Sequence, residues 1–533
     1  MKRYALMVVD TGAIQDYIFG TNNLKQNAGA SYLVDCATRK WVADALPKPN
    51  NVLDLDDMQS PFSNKNIEDG ELKAEIVYTG GGNAIIIFAE PGEAVAFTKR
   101  YTRHLLLEAS NLHILLAHTE FDWDEEPLGG DNGVVRRVMA ILNRRKNDHV
   151  LSPSVPGLAV TAACTYTDLP AVTENIEDGE THLLSAEALT KVQAFNQAHG
   201  RLLRLVDWCG YQVPMNFDDF GRTVGESSYI AVIHTDGNGM SKRIRALRDK
   251  FPLAQQNRDY IREMRQFSLS LQNASMEALC KTVRHLANSV KPSETGEKCI
   301  GPVVIRDNKL PFRPLIFGGD DVTFVCDGRL GISLAACFLN EFSSRVLSDG
   351  MPPYARAGVA VVKTHYPFAQ SYALAEALCA SAKNYVLERQ KPPFNEDGLT
   401  VMDWHFATGG VITSLERIRE REYTVRDGKL FARPIRLTSQ GRDWRSWDVF
   451  SQLVAGFQAE EFAARRNKVK ALRDALRSGP DAVEHFCRIY GLRLPQVPGW
   501  PGMSSQGWQG GRCVYFDVIE ALDFFVSIGG GKE

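Results

Sequence analysis

The stretch Gly318-Gly319-Asp320-Asp321 constrains the fold of this chain more than any other. It lies between two apolar runs, Pro314-Leu315-Ile316-Phe317 and Val322-Thr323-Phe324-Val325-Cys326. Short β-rich runs on either side of a glycine-led tip read as antiparallel strands joined by a tight hairpin. Adjacent glycines permit positive φ and let backbone approach a ligand. Adjacent aspartates at such a tip repel each other and raise each other's pKa unless a cation lies between them. A divalent metal that itself carries a polyphosphate meets that requirement. Gly and Asp are also ordinary turn residues, so the same four letters suit a solvated turn.

A second segment sharpens the choice. Tyr229-Ile230-Ala231-Val232-Ile233-His234-Thr235 is an apolar run that ends in Asp236-Gly237-Asn238-Gly239-Met240, with helical sequence after it. It reads as a buried strand with an acid at its end. With that strand beside the hairpin, Asp236, Asp320 and Asp321 converge as metal ligands and catalytic acids. Two Mg²⁺ or Mn²⁺ ions sharing them can activate a 3′-hydroxyl and clamp the triphosphate it attacks. Gly237 and Asn238 leave the backbone open to phosphate oxygens, as do Gly318 and Gly319 in the hairpin. An Asp at a strand-to-helix turn also suits a helix N-cap. Taken together, the two segments point to metal-dependent nucleotidyl transfer.

The chain has 533 residues, 44% of them hydrophobic. That exceeds one compact core and suggests about three domains. The net charge of -3 supplies no strong basic field, so tight nucleic-acid binding by this chain alone is not indicated. The ten cysteines include no Cys-x-x-Cys pair. That argues against a zinc ribbon and a disulfide framework, and fits a reducing cytosol. The N-terminal apolar run is too short for a signal peptide, and no segment reaches the length of a membrane span. The expectation is a soluble, cytoplasmic protein.

An internal repeat sets the architecture. Ala5 to Val9 is an apolar strand ending at Asp10-Thr11-Gly12, which parallels the strand ending at Asp236. Ile76-Val77-Tyr78-Thr79, Gly80-Gly81-Gly82-Asn83 and Ala84-Ile85-Ile86-Ile87-Phe88 again read strand, glycine turn, strand, with Gly82 and Asn83 where the acids would stand. Gly157-Leu158-Ala159-Val160-Thr161-Ala162-Ala163 matches Gly358-Val359-Ala360-Val361-Val362-Lys363, and a helix carrying Ala-Glu-Ala-Leu follows each. Four elements recurring in one order imply two βαββαβ-type copies, each an antiparallel sheet backed by helices. One copy keeps the acids and serves chemistry; the other has lost them and serves binding.

The remaining segments fill in around the copies. Residues 45–70 read as a loop insertion, and 120–132, acidic with a Gly-Gly pair, as an exposed loop. Arg136-Arg137 and Arg144-Arg145-Lys146 suit a solvated helix face, with contact to RNA or triphosphate as the alternative. Asp218 and Asp219 sit in a polar linker and read as surface residues. Ile261, Met264, Phe267, Leu271, Met276, Leu279, Val283 and Leu286 recur at helical spacing and read as the core face of a long helix over 258–289. Residues 293–301 read as a polar loop. From about 443 the pattern is helical, notably 449–478 and 481–490, with a solvated charged surface at Arg465-Arg466 and Lys468; 497–511 reads as loop. An amphipathic helix over 514–525 packs on the bundle or meets a partner. The domains are expected at 1–200, 229–440 and 441–533, with a linker at 201–228.

The pairing of Asp236-Gly237 with Gly318-Gly319-Asp320-Asp321, after a degenerate copy, resembles the Cas10 family. These are the large subunits of type III CRISPR effector complexes, also called Cmr2 or Csm1 proteins. Ile14-Gln15-Asp16-Tyr17-Ile18-Phe19, Leu24-Lys25-Gln26-Asn27 and Gly29-Ala30-Ser31-Tyr32-Leu33 are similar to the family's first-palm pattern. The resemblance implies an α+β fold of two ferredoxin-like, nucleotide-cyclase-like palm domains, with a helical linker, helical insertions and a C-terminal helical domain. It implies that the palms hold two ATP molecules and make cyclic oligoadenylates, the 3′-hydroxyl of one attacking the α-phosphate of the other and releasing pyrophosphate. Asp236, Asp320 and Asp321 match the metal-binding acids, and Lys383 matches a lysine on the donor's phosphate. Gln15, Gly29 and Ser31 would lie at the second nucleotide. The Gly29-Ala30-Ser31 element is expected at a helix start, where N–H groups hold phosphate, though Ser31 also suits a helix cap. Implied partners are crRNA, target RNA and other Cas subunits (Cas5/Cas7/Cas11-like), with no membrane.

Two departures qualify the resemblance. The chain begins at the first palm and has no His-Asp dipeptide, so DNA cleavage by an HD nuclease is not expected. The cysteines lack the paired spacing of the family's zinc module, so no structural zinc is expected. A neighbouring enzyme class is the diguanylate cyclases, with a similar Gly-Gly-acid turn; the Asp-Asp ending and the two unequal copies tell against it. Further alternatives are a non-catalytic scaffold subunit, a template-directed polymerase, for which no basic groove is evident, and a palm that adenylates another hydroxyl acceptor.

Overall fold

The structure is a computed structural model that describes residues 3–57, 59–148, 158, 160–177, 179–220, 228–407, 414–437, 443–497 and 499–529. The fold class is mixed α+β with several sheets.

The hairpin is present. Phe312–Ile316 and Val322–Asp327 pair antiparallel, with Pro314 opposite Phe324. Tyr229–Gly237 lies against Val322–Asp327 on one side and Ala355–Lys363 on the other, antiparallel to both. It is a central strand, which is why its residues run apolar without alternation. Val401–Ala407 adds parallel to Ala355–Lys363. A parallel neighbour needs a long crossover, and the helix Phe368–Arg389 supplies it. Ile435–Arg436 completes six strands.

The N-terminal sheet has four strands in the order that the first four of the larger sheet repeat. Arg3–Thr11 is central, between Asn83–Phe88 and Ile114–Asp122, with Ala74–Gly80 outermost. The fourth strand corrects the sequence reading. Gly157 and Ala159 lie outside the described residues, and 160–163 form no strand there: Ala163 makes only an isolated bridge to Pro170, flanked by the bond from Ala171 N to Ala162 O. Ile114–Asp122 takes the place beside the central strand instead. Its His118 and Thr119 are only partly covered and Glu120 is exposed, so its apolar signal is diluted.

Residues 120–132 are not simply an exposed loop. The first three end that strand, and Gly129 and Gly130 are buried beneath the other sheet's first helix, where Gly130 N donates to Arg248 O at 2.9 Å. Residues 293–301 likewise hold part of a small three-stranded sheet, with Lys298–Ile300 at its centre.

The two sheets share their cores. Ala5, Met7 and Val9 on one and Ile230 and Val232 on the other belong to a single cluster filled by Leu33, Phe195 and Leu378. The opposite faces, Leu6 and Val8 with Ala231 and Ile233, join a larger core around the helix Asn257–Asn288. All eight apolar positions read as that helix's core face are buried. At its start Arg258 and Arg265 converge on Glu75, which is fully buried in the N-terminal sheet, at 2.7 and 2.9 Å.

The helix Leu24–Thr38 begins at Asn23, whose side chain accepts from Gln26 N. It packs lengthwise on Ala186–Leu205, itself capped by Ser185. Gly29 makes this approach possible: a Cβ there would sit 1.9 Å from Lys191 O. The C-terminal region is mainly helical, through Trp447–Gln458, Arg466–Arg477, Pro480–Tyr490 and the buried Tyr515–Ala521. Strand pairing crosses the boundary expected at 440, since Lys429 pairs with Arg512. Among the described residues, no helix is long and apolar enough to cross a membrane.

Candidate functional site

The two glycine turns face one cleft. A cavity of about 280 Å³ is lined by Gly80, Gly81, Gly82 and Asn83 from one sheet and Gly318, Gly319, Asp320 and Asp321 from the other. Gln15 and Ser31 stand on the N-terminal side, while Met264, Phe267, Leu271 and Met276 of the long helix form an apolar wall. The sequence reading gave these four a packing role alone; they also shape the cleft.

Gly318 and Gly319 have φ of 130° and 72°, values that side-chain-bearing residues rarely adopt. Their conformation delivers the two aspartates to the end of the strand that carries Asp236. Gly237 is required by proximity: a Cβ there would lie 2.7 Å from Asp320 Cβ and 2.8 Å from its Oδ2. The helix after Asp236 starts at Met240 with Gly239 as its cap residue, so Asp236 is not an N-cap.

The acids are short of compensating charge. Burial pushes Asp321 up to about 7, with Asp236 and Glu376 adding repulsion. Burial, Asp236 and Asp321 push Asp320 up to about 6. Among the described residues, the buried Asp321 Oδ1 has no hydrogen-bond partner, and its nearest basic group is His234 Nδ1 at 3.4 Å. His234 donates no charge there: burial lowers its pKa, and its Nδ1 shares a 3.2 Å hydrogen bond with Thr323 Oγ1.

Asp236 is treated differently. Arg356 lies opposite it in the strand register and pairs with its Oδ2. The same guanidinium donates to Gly237 O at 2.9 Å and to Asn238 Oδ1 at 2.7 Å. Asn238 is further occupied, its backbone N–H by Tyr354 O and its Nδ2 by Leu399 O. The backbone expected to be open to phosphate at Gly237 and Asn238 is therefore already engaged by the neighbouring strand.

The other sequence-derived residues separate. Gln15 and Ser31 line the cleft, and Gln15 lies next to the buried Tyr372. Gly29 does not stand at a helix start. It sits in the second turn, its N–H inside the helical ladder and its Cα face against Lys191 O, so it is a packing glycine. Lys383 is exposed on Phe368–Arg389, on the helix face that carries Tyr372 and Glu376, and outside the residues that line the cleft. In the N-terminal sheet Asp10 pairs with Lys146 Nζ at 2.7 Å, and Asn83 accepts from Tyr78 Oη at 2.7 Å. Lys146 thus does more than decorate a solvated face. Asp219 caps its own turn and pairs with Lys309, in keeping with a structural role.

Among the described residues, no group of three His, Cys, Asp or Glu side chains is arranged ready-made around a metal position. The donor set nevertheless fits a hard divalent cation. It offers carboxylate oxygens only, one of them a buried orphan, and two half-buried acids that lack a counter-charge. Arg356 and His234 escaped the sequence reading. Both interrupt otherwise apolar strands, and that was the available signal.

No family model matches the sequence, and no curated protein matches it. Solved structures do. A chain of the Csm1–Csm4 cassette in complex with cA4 aligns over 98% of this chain and 69% of its own length, with TM-score 0.54 and 12% identity. The cassette in complex with AMPPNP aligns over 98% and 70% with TM-score 0.53 and 12% identity. The cassette with one ATP aligns over 98% and 69% with TM-score 0.51 and 13% identity. At such identities the likeness is one of fold, and it runs through nearly the whole of this chain: the chain has the fold seen in the Csm1–Csm4 cassettes.

Proposed function

We propose that this chain is a Cas10-like subunit of a type III CRISPR RNA-guided complex, and that it makes cyclic oligoadenylates from ATP at the Asp320-Asp321 turn. One observation carries the reading: two sheets of the same strand order present their glycine turns to one cleft, and only one turn bears acids. The cassettes that share the fold were crystallised with cA4, AMPPNP and ATP, which supports a nucleotide as the occupant.

Asp320, Asp321 and Asp236 would hold the divalent cations, Asp236 after exchanging its guanidinium partner. Bound cations supply charge neutralisation at the triphosphate and acidify the attacking 3′-hydroxyl. The chain's own residues position the reactants. The hairpin's open backbone at Gly318 and Gly319 admits the donor triphosphate, and Lys383 meets its phosphates. Gln15 and Ser31 orient the acceptor from the N-terminal side. Met264 and Phe267 exclude water from one wall. The acceptor's 3′-oxygen bonds to the donor's α-phosphorus, pyrophosphate leaves, and repetition followed by ring closure gives the cyclic product. In this reading crRNA, target RNA and other Cas subunits control when the cleft acts, in the cytoplasm.

Purified protein with ATP and Mg²⁺ or Mn²⁺, alone and inside the crRNA-loaded complex with target RNA, tests this by mass spectrometry. Oligoadenylates that vanish in the Asp320→Ala/Asp321→Ala double variant support it; silence under all conditions sinks it. The Arg356–Asp236 pair favours a second reading, a scaffold subunit whose third acid is permanently neutralised. The same assay decides between them.

A further inference from the structure

A second cavity, of about 700 Å³, lies away from the cleft, where the end of Phe368–Arg389, the helix Leu415–Tyr423 and the paired strands at Lys429 and Arg512 meet. Its wall carries Arg419, Lys429, Arg433, Arg445 and Arg512. Arg419, Lys429 and Arg512 all gather on one ring, Phe431, at 4.9, 5.9 and 5.5 Å. Like charges concentrated so closely repel, and a fold holds them together only against a compensating anion.

The carboxylates present answer Arg419 and Arg433 but not the other three. Arg419 donates to Asp403 at 2.6 Å, yet its buried Nε has no partner among the described residues. Arg433 is fully buried and already answered by Asp517 and Glu520, at 3.4 and 3.7 Å. Among the described residues the Arg445 guanidinium donates to the carbonyls of Ala432 and Pro434 alone, and that of Arg512 to the carbonyl of Phe431 alone. Among the described residues, no carboxylate lies within ion-pair distance of Lys429, Arg445 or Arg512. The wall also holds Glu388, Glu416 and Glu420, none of which pairs with the five cations. Burial, with Arg445 beside it, pushes Arg512 down to about 10.

We propose that this cavity binds a phosphate-bearing ligand of nucleotide size, either a free nucleotide or the phosphorylated end of an RNA strand. Guanidinium forks suit phosphate oxygens, and the volume falls within the roughly 300–1,000 Å³ of small-ligand sites. The site is separate from the cleft. Tyr372 stands beside the acids and Tyr385 lines this cavity, thirteen residues along one helix, or about 20 Å.

The test uses the full chain carrying Asp320→Ala/Asp321→Ala, without metal, so that no turnover occurs. Pyrophosphate, ATP and a short 5′-phosphorylated single-stranded RNA are titrated by calorimetry and anisotropy at about 50 and 200 mM salt. Added Lys429→Glu or Arg512→Gln should weaken at least one probe by about tenfold or more, and the binding they remove should fade with salt. Loss for ATP and pyrophosphate identifies a free nucleotide; loss for the RNA alone identifies an RNA end. Equal affinities in parent and variants for all three probes, or no binding at the lower salt, overturns the proposal. Melting curves report folding; if Arg512→Gln unfolds, the exposed Lys429 carries the test alone.

Discussion

Replacing both hairpin acids should stabilise the protein when metal is withheld. Asp321 is pushed up to about 7 and Asp320 to about 6, chiefly by burial and then by neighbouring carboxylates. A group with a raised carboxyl pKa penalises the fold above its folded value. The penalty fades as pH falls toward the ordinary value of 3.8 and is gone below it. Each tenfold displacement of such an equilibrium is worth about 1.4 kcal/mol. Asp321 spans roughly three of these steps, an upper bound of about 4 kcal/mol at pH 8. Its side chain is 35% exposed, and solvent screening reduces the expected gain to about 1–2 kcal/mol. In EDTA at pH 8, Asp320→Asn/Asp321→Asn should therefore melt higher than the parent, by about 2–4 °C. The gap should narrow as pH falls below 7 and close as pH approaches the ordinary value of 3.8. Mn²⁺ should raise the parent's melting temperature and leave the variant's unchanged. A variant that melts lower than the parent in EDTA at pH 8, or a gap indifferent to pH, would refute the account of uncompensated acids.

Other outcomes follow from the same contacts. Gly29→Ala should cost about 1–3 kcal/mol by forcing Leu24–Thr38 away from Lys191 O, while the folded fraction keeps its affinity for ATP; denaturation and nucleotide titration report the two separately. Glu75→Gln should destabilise by about 3–5 kcal/mol, because Arg258 and Arg265 lose their buried counter-charge, and urea unfolding measures it. Lys383→Ala should lower ATP turnover by about tenfold or more with stability unchanged within about 0.5 kcal/mol; unchanged turnover removes the lysine from the phosphate.

The elements around the acids were legible because glycine punctuates them and apolar runs flank the punctuation. The same grammar exposed the N-terminal hairpin at Gly81 and Gly82. It failed at Ile114–Asp122, a strand with one partly wet face whose polar residues imitate a loop. Gly29 was misplaced because the helix start was read five residues late; Asn23, which caps Gln26 N, was the better marker. Arg356 stands alone in the apolar Tyr354-Ala355-Arg356-Ala357-Gly358, but its partner emerges only from strand register, which places it opposite Asp236. Long-range pairing of that kind depends on how strands assemble, and no local window contains it.

The helix Asn257–Asn288 has a consequence for what this architecture tolerates. Its 32 residues span about 48 Å. One end is fixed to Glu75 of the N-terminal sheet and to Leu128 N in the segment after it, and the other to Glu341 and to the backbone of Gly529. Between these anchors, Met264, Phe267 and Leu271 set the wall of the cleft. The spacing of the two glycine turns is therefore gauged by a part that belongs to neither. One residue inserted after Leu271 would turn every later contact by about 100°, so insertions and deletions here should be far less permissible than substitutions anywhere on the helix's outer face.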